Sequence, residues 1–429
     1  MPTTHLVDNV ELETAIASVV VNPSSQPQNG AKVVTDYYDP ADGTNLTRAR
    51  AAAIAAAGQG GAVCYPPRAG GYGYLAPTQP LERQYHYGFQ TRFYDSDDTE
   101  AMTNAQYALP GFTGSALMHW SNPGAARGAV FDKMGWVGLG DTTGTLNAFD
   151  FGPANSGGER SVEVNNCQMM GFGGAAFAGH MWVVNGFNNH ISRCGYGIRP
   201  ISGAYGSSCQ MLDCQFEKGF IYFTRSHCVD LSGSAQHGQI MFTTMRMERA
   251  GTQVSGNVID PNSNRDPNAV AIYATRLSVM GLTNISTDAN AGGDFKFVGA
   301  VDEGSVNNVT GTALQLKRSG TGNNVDTELP AVWLDRCKRV NLSGLITFGD
   351  PNDGGTGRSA PQHGVWMNRA YYSTWDGTAE LASGTSVQAT VYDKMPALAT
   401  VWGTQENNFR SYVRDPNFNG WQPIAMGTA

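Results

Sequence analysis

From about residue 128 to residue 349 the chain is a succession of short runs in which apolar and polar residues alternate, separated by Gly, Asn, Asp and Ser. Alternation with a period of two puts successive side chains on opposite sides of an extended backbone, so these runs are predicted as strands with one side turned inward. In Asp213-Cys214-Gln215-Phe216-Glu217, Cys214 and Phe216 take the inner side and the three polar residues the outer. A weak repeat runs through the strands. Val229-Asp230-Leu231-Ser232-Gly233 recurs as Val340-Asn341-Leu342-Ser343-Gly344, with a looser copy at Val306-Asn307-Asn308-Val309-Thr310-Gly311, and the Val162–Met169 and Met211–Phe216 runs form a second related pair. Val306 and Val340 are 34 residues apart, and Gly171, Gly195 and Gly219 stand at 24-residue intervals. Both spacings fall in the ~20–50 residue range of solenoid repeats. Each repeat then makes one coil, whose inward side chains stack into a continuous core and whose backbone pairs with the coils above and below. Gly or Asn supply the left-handed corners. A β-sandwich of the same composition fits less well, because one sandwich domain does not need more than ~200–250 residues of such runs.

Upstream, the period changes. After Asp42-Gly43-Thr44, the residues Leu46, Ala49, Ala53, Ile54 and Ala57 fall on one face of a helix, with Asp42 or Thr44 available as N-cap and Gly58 as the stop. Alanine favours the helix but offers little side chain to bury, so this helix suits a cover better than a core. Gly60-Gly61-Ala62-Val63-Cys64-Tyr65-Pro66-Pro67 then reads as a tight turn into a strand stopped by prolines. The series Val33-Val34-Thr35-Asp36-Tyr37-Tyr38-Asp39-Pro40-Ala41-Asp42-Gly43-Thr44, the alanine helix and the Gly-Gly-Ala-Val-Cys-Tyr-Pro-Pro strand resembles the opening of the pectate-lyase-like superfamily found in phage tailspikes. Asn45-Leu46-Thr47-Arg48 departs from that family's pattern, where acidic residues often precede the helix. The resemblance implies an all-β, right-handed parallel β-helix whose open end is closed by a capping helix, here 45–57, in a homotrimer.

Three segments follow from these readings: a stem or cap at 1–30, the β-helix at 31–368, and a small C-terminal β domain at 369–429. In the last, Trp402-Gly403-Thr404-Gln405, Ser411-Tyr412-Val413-Arg414 and Asn419-Gly420-Trp421-Gln422-Pro423-Ile424 resemble the knob-like ends of phage tail fibres and bacteriocin fibres. Such ends trimerise a fibre or touch sugars, and a plain cap over the last coil is a sufficient alternative.

Composition narrows the function classes. The 429 residues are 41% hydrophobic and only 15% charged, and the 53 glycines follow no three-residue period, which disfavours collagen and disorder. A net charge of -8 with scattered Lys and Arg gives no basic stripe for nucleic acid. No apolar run approaches ~20 residues, and Met1–Glu13 lacks a basic leader, so neither membrane insertion nor secretion is indicated. Seven cysteines without a C-x-x-C pair read as buried thiols.

Glycoside hydrolysis needs two carboxyl groups roughly 5–9.5 Å apart, which neighbouring coils can supply without proximity in sequence. The densest polar region gives Glu248 as the acid and Asp213 or Glu217 as base or nucleophile, with Arg193, Arg246, His190, His227 and Tyr222 as substrate-binding residues. A lyase would instead draw on Tyr222, Arg225 and His227 if they share a face. Outward Glu–Arg pairs are also ordinary surface ion pairs of ~0–1 kcal/mol. No second His lies at metal-ligand spacing, and no cofactor or metal is called for. Trp333, Trp366, Trp375, Tyr371 and Tyr372 are candidates for stacking on sugars. The expected function is that of the resembled family: a virion tail or baseplate depolymerase that cleaves a bacterial capsular or O-antigen polysaccharide. Hydrolysis ranks above a lyase reaction, and both above a receptor fibre that grips glycan without cutting it.

Overall fold

The computed structural model describes residues 30–68, 70–89, 105–121, 127–140, 144–153, 160–200, 209–252, 254–255, 258–259, 266, 268–300, 304–318, 330–348, 363–368, 370, 372–381, 389–393, 408–414, 421–423 and 427–428. The stem at 1–29 lies outside them, as do Tyr371 and, Asp266 aside, the polar insert 260–265 and Pro267. Nearly all the strands pair in parallel, in one ladder of 23 strands and another of 11. The larger ladder bends, so the chain winds round a parallel β-helix with three faces.

The first face stacks Ala62–Cys64, Tyr85–Tyr87, Val130–Asp132, Val162–Asn165, Val184–Phe187, Met211–Glu217, Gly238–Thr243 and Met280–Thr283. The second stacks Gln168–Met170, His190–Ser192, Phe220–Tyr222, Arg246–Glu248 and Ser286–Asp288. The third stacks Tyr196–Arg199, Val229–Leu231, Ile272–Ala274, Phe295–Val298, Val332–Asp335 and His363–Asn368. Inward rows are apolar and fully buried, for instance Phe131, Val164, Phe216, Phe242, Leu282 and Trp375 on the first face. Two glycines belong to that row because the neighbouring coil takes their space: a Cβ on Gly186 would meet Phe216 Cδ1 at 2.7 Å, and one on Gly311 would meet Leu342 Cδ2 at 2.6 Å. Trp375, read from sequence as a sugar platform, is thereby core.

The stacking register differs from the sequence repeat. Val229–Leu231 is on the third face and Val340 on the first, so these two copies never stack. Val340 pairs with Val309, and Val306 with Cys337, three residues from the alignment by similarity. Coil length is irregular: successive corner residues are 22 apart at Asn166 and Asn188, 33 at Lys133 and Asn166, and 40 at Thr244 and Asn284. The corner between the first and second faces is a column of left-handed residues, Lys133, Asn166, Asn188, Lys218, Thr244 and Asn284, all with φ from 51 to 54. Only three are Asn and none is Gly. A left-handed residue costs ~1–2 kcal/mol, and the ladder over-determines it: Lys218 N donates to Thr243 O at 3.0 Å and Thr244 N to Thr283 O at 2.8 Å.

At the N-terminal end, helix α1 (Thr47–Ala57) buries Ala49, Ala53, Ile54 and Ala57 over the first coil. Its N-cap is Leu46, not Asp42 or Thr44; the Asn45 side chain accepts from Thr47 N at 3.1 Å instead. The backbone of α1 is tied to the solenoid by Gln84, whose amide donates to Ile54 O at 2.7 Å. At the other end the ladders run on past residue 369. Thr374–Leu381 and Asn408–Arg414 continue the first face in parallel, and Trp421–Pro423 turns antiparallel to them. The backbone there is still coiling, although the sequence changes texture.

All seven cysteines are free and buried. Three histidines are buried as well. Burial pushes the pKa of His86 down to about 3 and those of His180 and His237 to about 4. Their folded values lie below the unfolded one, so the unfolded chain gains protons first as pH falls. Their contribution to stability is therefore intact above pH 6.5 and shrinks between 6.5 and about 4, by up to about 1.4 kcal/mol per group per pH unit. Thermal scans from pH 7.5 to 4.5 are expected to show a falling Tm; a constant Tm contradicts neutral burial of these rings.

Candidate functional site

Alternation along Arg246-Met247-Glu248 turns Met247 into the core and the other two outward on the second face. The coils on either side add to this surface. His190, Phe220, Arg246 and Ser286 form one outward row; Ser192, Tyr222, Glu248 and Asp288 follow in register as the next, in which Ser192 and Tyr222 are buried. The His190 ring lies 4.8 Å from Tyr222 and 5.6 Å from Phe220. Phe220 is exposed, and the Arg246 guanidinium sits 5.8 Å above its ring. Arg246 also pairs with the Glu248 carboxylate. Four residues singled out from sequence, Glu248, Arg246, His190 and Tyr222, thus share one face.

Asp288 is the member that sequence reasoning missed. It is the register partner of Glu248 on the next coil, about 4.8 Å away at the backbone. Lys317 Nζ stands 3.9 Å from its Oδ2. The signal was present in Ser286-Thr287-Asp288, which repeats the outward-inward-outward order of Arg246-Met247-Glu248, but pairing the two strands needs the register. Burial raises the Glu248 pKa above the usual carboxylate range; Arg246 works against this and the Asp288 charge adds to it. A carboxyl whose pKa is raised beside a second carboxylate is the arrangement that divides acid and base roles.

The other predicted residues lie elsewhere. Asp213 is exposed at a left-handed bulge, φ 52, and accepts a hydrogen bond from Trp182 Nε1 at 3.0 Å. Glu217 ends the same strand on the first face, accepting from Gln215. Neither shares a face with Glu248. Glu217 does line an open groove of about 600 Å³ with Tyr85, Asp132, Glu163, Asn185 and Phe187. Its nearest carboxylate there by register, Glu163, is two coils away, roughly 10 Å along the axis. Asp132 is engaged by the Tyr85 hydroxyl at 3.0 Å and by Asn166 Nδ2 at 2.8 Å. Arg193 is 2% exposed at an inner corner, so it does not face the outer surface as a sugar clamp would. His227 belongs to the third face, where its Nδ1 accepts from Val270 N at 3.1 Å, which separates it from Tyr222 and splits the trio that a lyase would need. Among the described residues no group of three or more His, Cys, Asp or Glu side chains is placed to hold a metal ion.

No family model matches the chain, and no curated protein matches it in sequence. Solved structures do. The Streptococcus pneumoniae surface protein and adhesin PfbA superposes with a TM-score of 0.53 at 9% identity, over 90% of this chain and 100% of that one. A variant of DFA-IIIase from Arthrobacter chlorophenolicus A6, in complex with DFA-III, gives 0.53 at 10% identity, over 90% and 99%. The enzymatically active domain of bacteriophage CBA120 tailspike protein 2 gives 0.44 at 10% identity, over 90% and 46%, too loose a fit to carry an argument. These likenesses show the fold. An adhesin and an enzyme share it, so function has to be argued from the site.

Proposed function

We propose that this protein is a polysaccharide depolymerase that binds a bacterial surface glycan on the second face and hydrolyses its glycosidic bonds. One observation supports this above the others: Glu248 and Asp288 are register partners on adjacent coils, a backbone spacing of about 4.8 Å from which two carboxyl groups can reach the ~5–5.5 Å separation of retaining glycosidases. Glu248, whose pKa burial raises, gives its proton to the leaving oxygen as the bond to the anomeric carbon breaks. The Asp288 carboxylate closes on that carbon to form a glycosyl ester. Water then displaces the ester, its proton returning to Glu248. Phe220 offers a ring face to the sugar, and His190 and Arg246 supply polar contacts around it.

The setting we propose is a homotrimer on a phage tail or baseplate, with a capsular or O-antigen polysaccharide as substrate. This rests on the resemblance of the residue 33–67 segment and of the C-terminal segment. Incubation with capsules and lipopolysaccharides from a strain panel, followed by mass spectrometry and NMR of the new ends, tests it. Expected are new reducing ends with retained anomeric configuration. Unsaturated uronate ends would make it a lyase, and binding without any change in polymer size would make it a receptor fibre; either result overturns the reading.

A further inference from the structure

The third face carries a row that the hydrolytic reading leaves unused. In register, one residue per coil, Tyr273, Lys296, Trp333 and Trp366 follow one another outward. Each ring is half-buried. The Lys296 ammonium lies between two of them, 5.9 Å from the Tyr273 ring centre and 5.2 Å from that of Trp333. Trp366 meets Trp333 at 4.3 Å with its plane turned by 70°, so the two indoles present different edges and faces along the strip. One coil further back Arg199 pairs with Asp230 at 3.1 Å, which neutralises that end. Lys296 is different: among the described residues no carboxylate lies within 4.0 Å of it. It is a partly desolvated cation flanked by aromatic faces and held in no ion pair, the Asp266 charge acting on it only from farther off, and such a position favours an arriving anion.

We infer that this row is a second saccharide-binding strip, distinct from the Glu248 site, that takes an acidic glycan with sugar faces on Trp333, Trp366 and Tyr273 and an anionic substituent on Lys296. Charge and shape both select this occupant. A coil advances about 4.8 Å, close to the length of one pyranose ring, so a glycan lying along the axis can set successive sugars against successive coils. The acidic first-face groove, lined by Asp132, Glu163 and Glu217 without a Lys or Arg, repels the same ligand.

The strip binds whether or not the second face cuts, and affinity electrophoresis of the full chain separates the two. Gels containing sodium alginate, a polyuronate, are compared with gels containing dextran, which is neutral. Alginate is expected to retard the protein, less so at raised salt, and dextran to do so weakly. Lys296→Gln and Trp366→Ala are each expected to weaken alginate binding roughly tenfold, while Asp213→Asn leaves it unchanged. Lys296→Gln keeps the stem of the side chain and serves where Trp366→Ala fails to fold. Retardation by dextran equal to that by alginate, or alginate binding unaffected by Lys296→Gln, overturns the inference. So does sedimentation showing an oligomer that Trp366→Ala dissociates, because the strip would then be a contact between copies.

Discussion

Phe149→Ala is expected to cost about 3–5 kcal/mol of stability. Phe149 is fully buried at the centre of an aromatic cluster. Its ring centre lies 4.9 Å from that of Trp136, 5.1 Å from Phe131, 5.6 Å from Phe177 and 6.2 Å from Phe151. These residues come from several coils and from more than one face, so truncation opens a cavity where three inward rows meet. The surrounding rings are held by their own ladders and cannot collapse into it. Urea unfolding followed by fluorescence checks this, with Tyr372→Ala, an exposed ring, as a control expected to stay within about 0.5 kcal/mol. A Phe149→Ala loss below about 1 kcal/mol would show that the cluster is not packed as described.

Glu248→Gln is expected to lower kcat by about 10²–10⁴-fold on whatever polysaccharide the protein cleaves, because the amide keeps the shape but has no proton to give. Asp288→Asn should fall at least as far. Asp213→Asn and Glu217→Gln should leave turnover within a few-fold, since neither shares a face with Glu248. The pH profile gives an independent reading. A general acid works while protonated, so activity declines as pH rises through the raised Glu248 pKa. Arg246 holds that pKa down, so Arg246→Met should move the alkaline limb to higher pH. A limb that stays in place, or full activity in Glu248→Gln, would remove Glu248 from the mechanism.

The sequence made the inward sides legible because alternation is a local property. Cys214, Phe216, Met245 and Met247 are all buried as the pattern indicates. The helix and its apolar face were legible because a helical period is local as well. What alternation leaves open is which strand lies beside which. Similarity aligned Val306 with Val340, whereas the ladder pairs Val309 with it, because corners of differing length shift the phase between coils. That is why Glu248 was matched with Asp213 and Glu217, close in sequence but around a corner, and Asp288, 40 residues on, was overlooked. The left-handed column was only half visible, since Lys133, Lys218 and Thr244 have no intrinsic preference for that conformation and acquire it from the neighbouring coil. Arg193 illustrates the remaining gap: a charged residue gives no local hint that it turns inward.

The uneven length of the coils bears on how such a surface changes over evolutionary time. Register between neighbours is fixed on the flat stretches, while one turn of the first face takes from 22 residues, at Asn165 and Phe187, to 45, at Tyr87 and Asp132. Doubling a connecting loop adds only about 0.6 kcal/mol of closure entropy. Insertions at the bends are therefore nearly neutral for folding, yet each one raises or lowers a wall beside a trough whose floor stays where it was. A lineage can exchange one target for another by editing those walls and leave the stacked interior untouched.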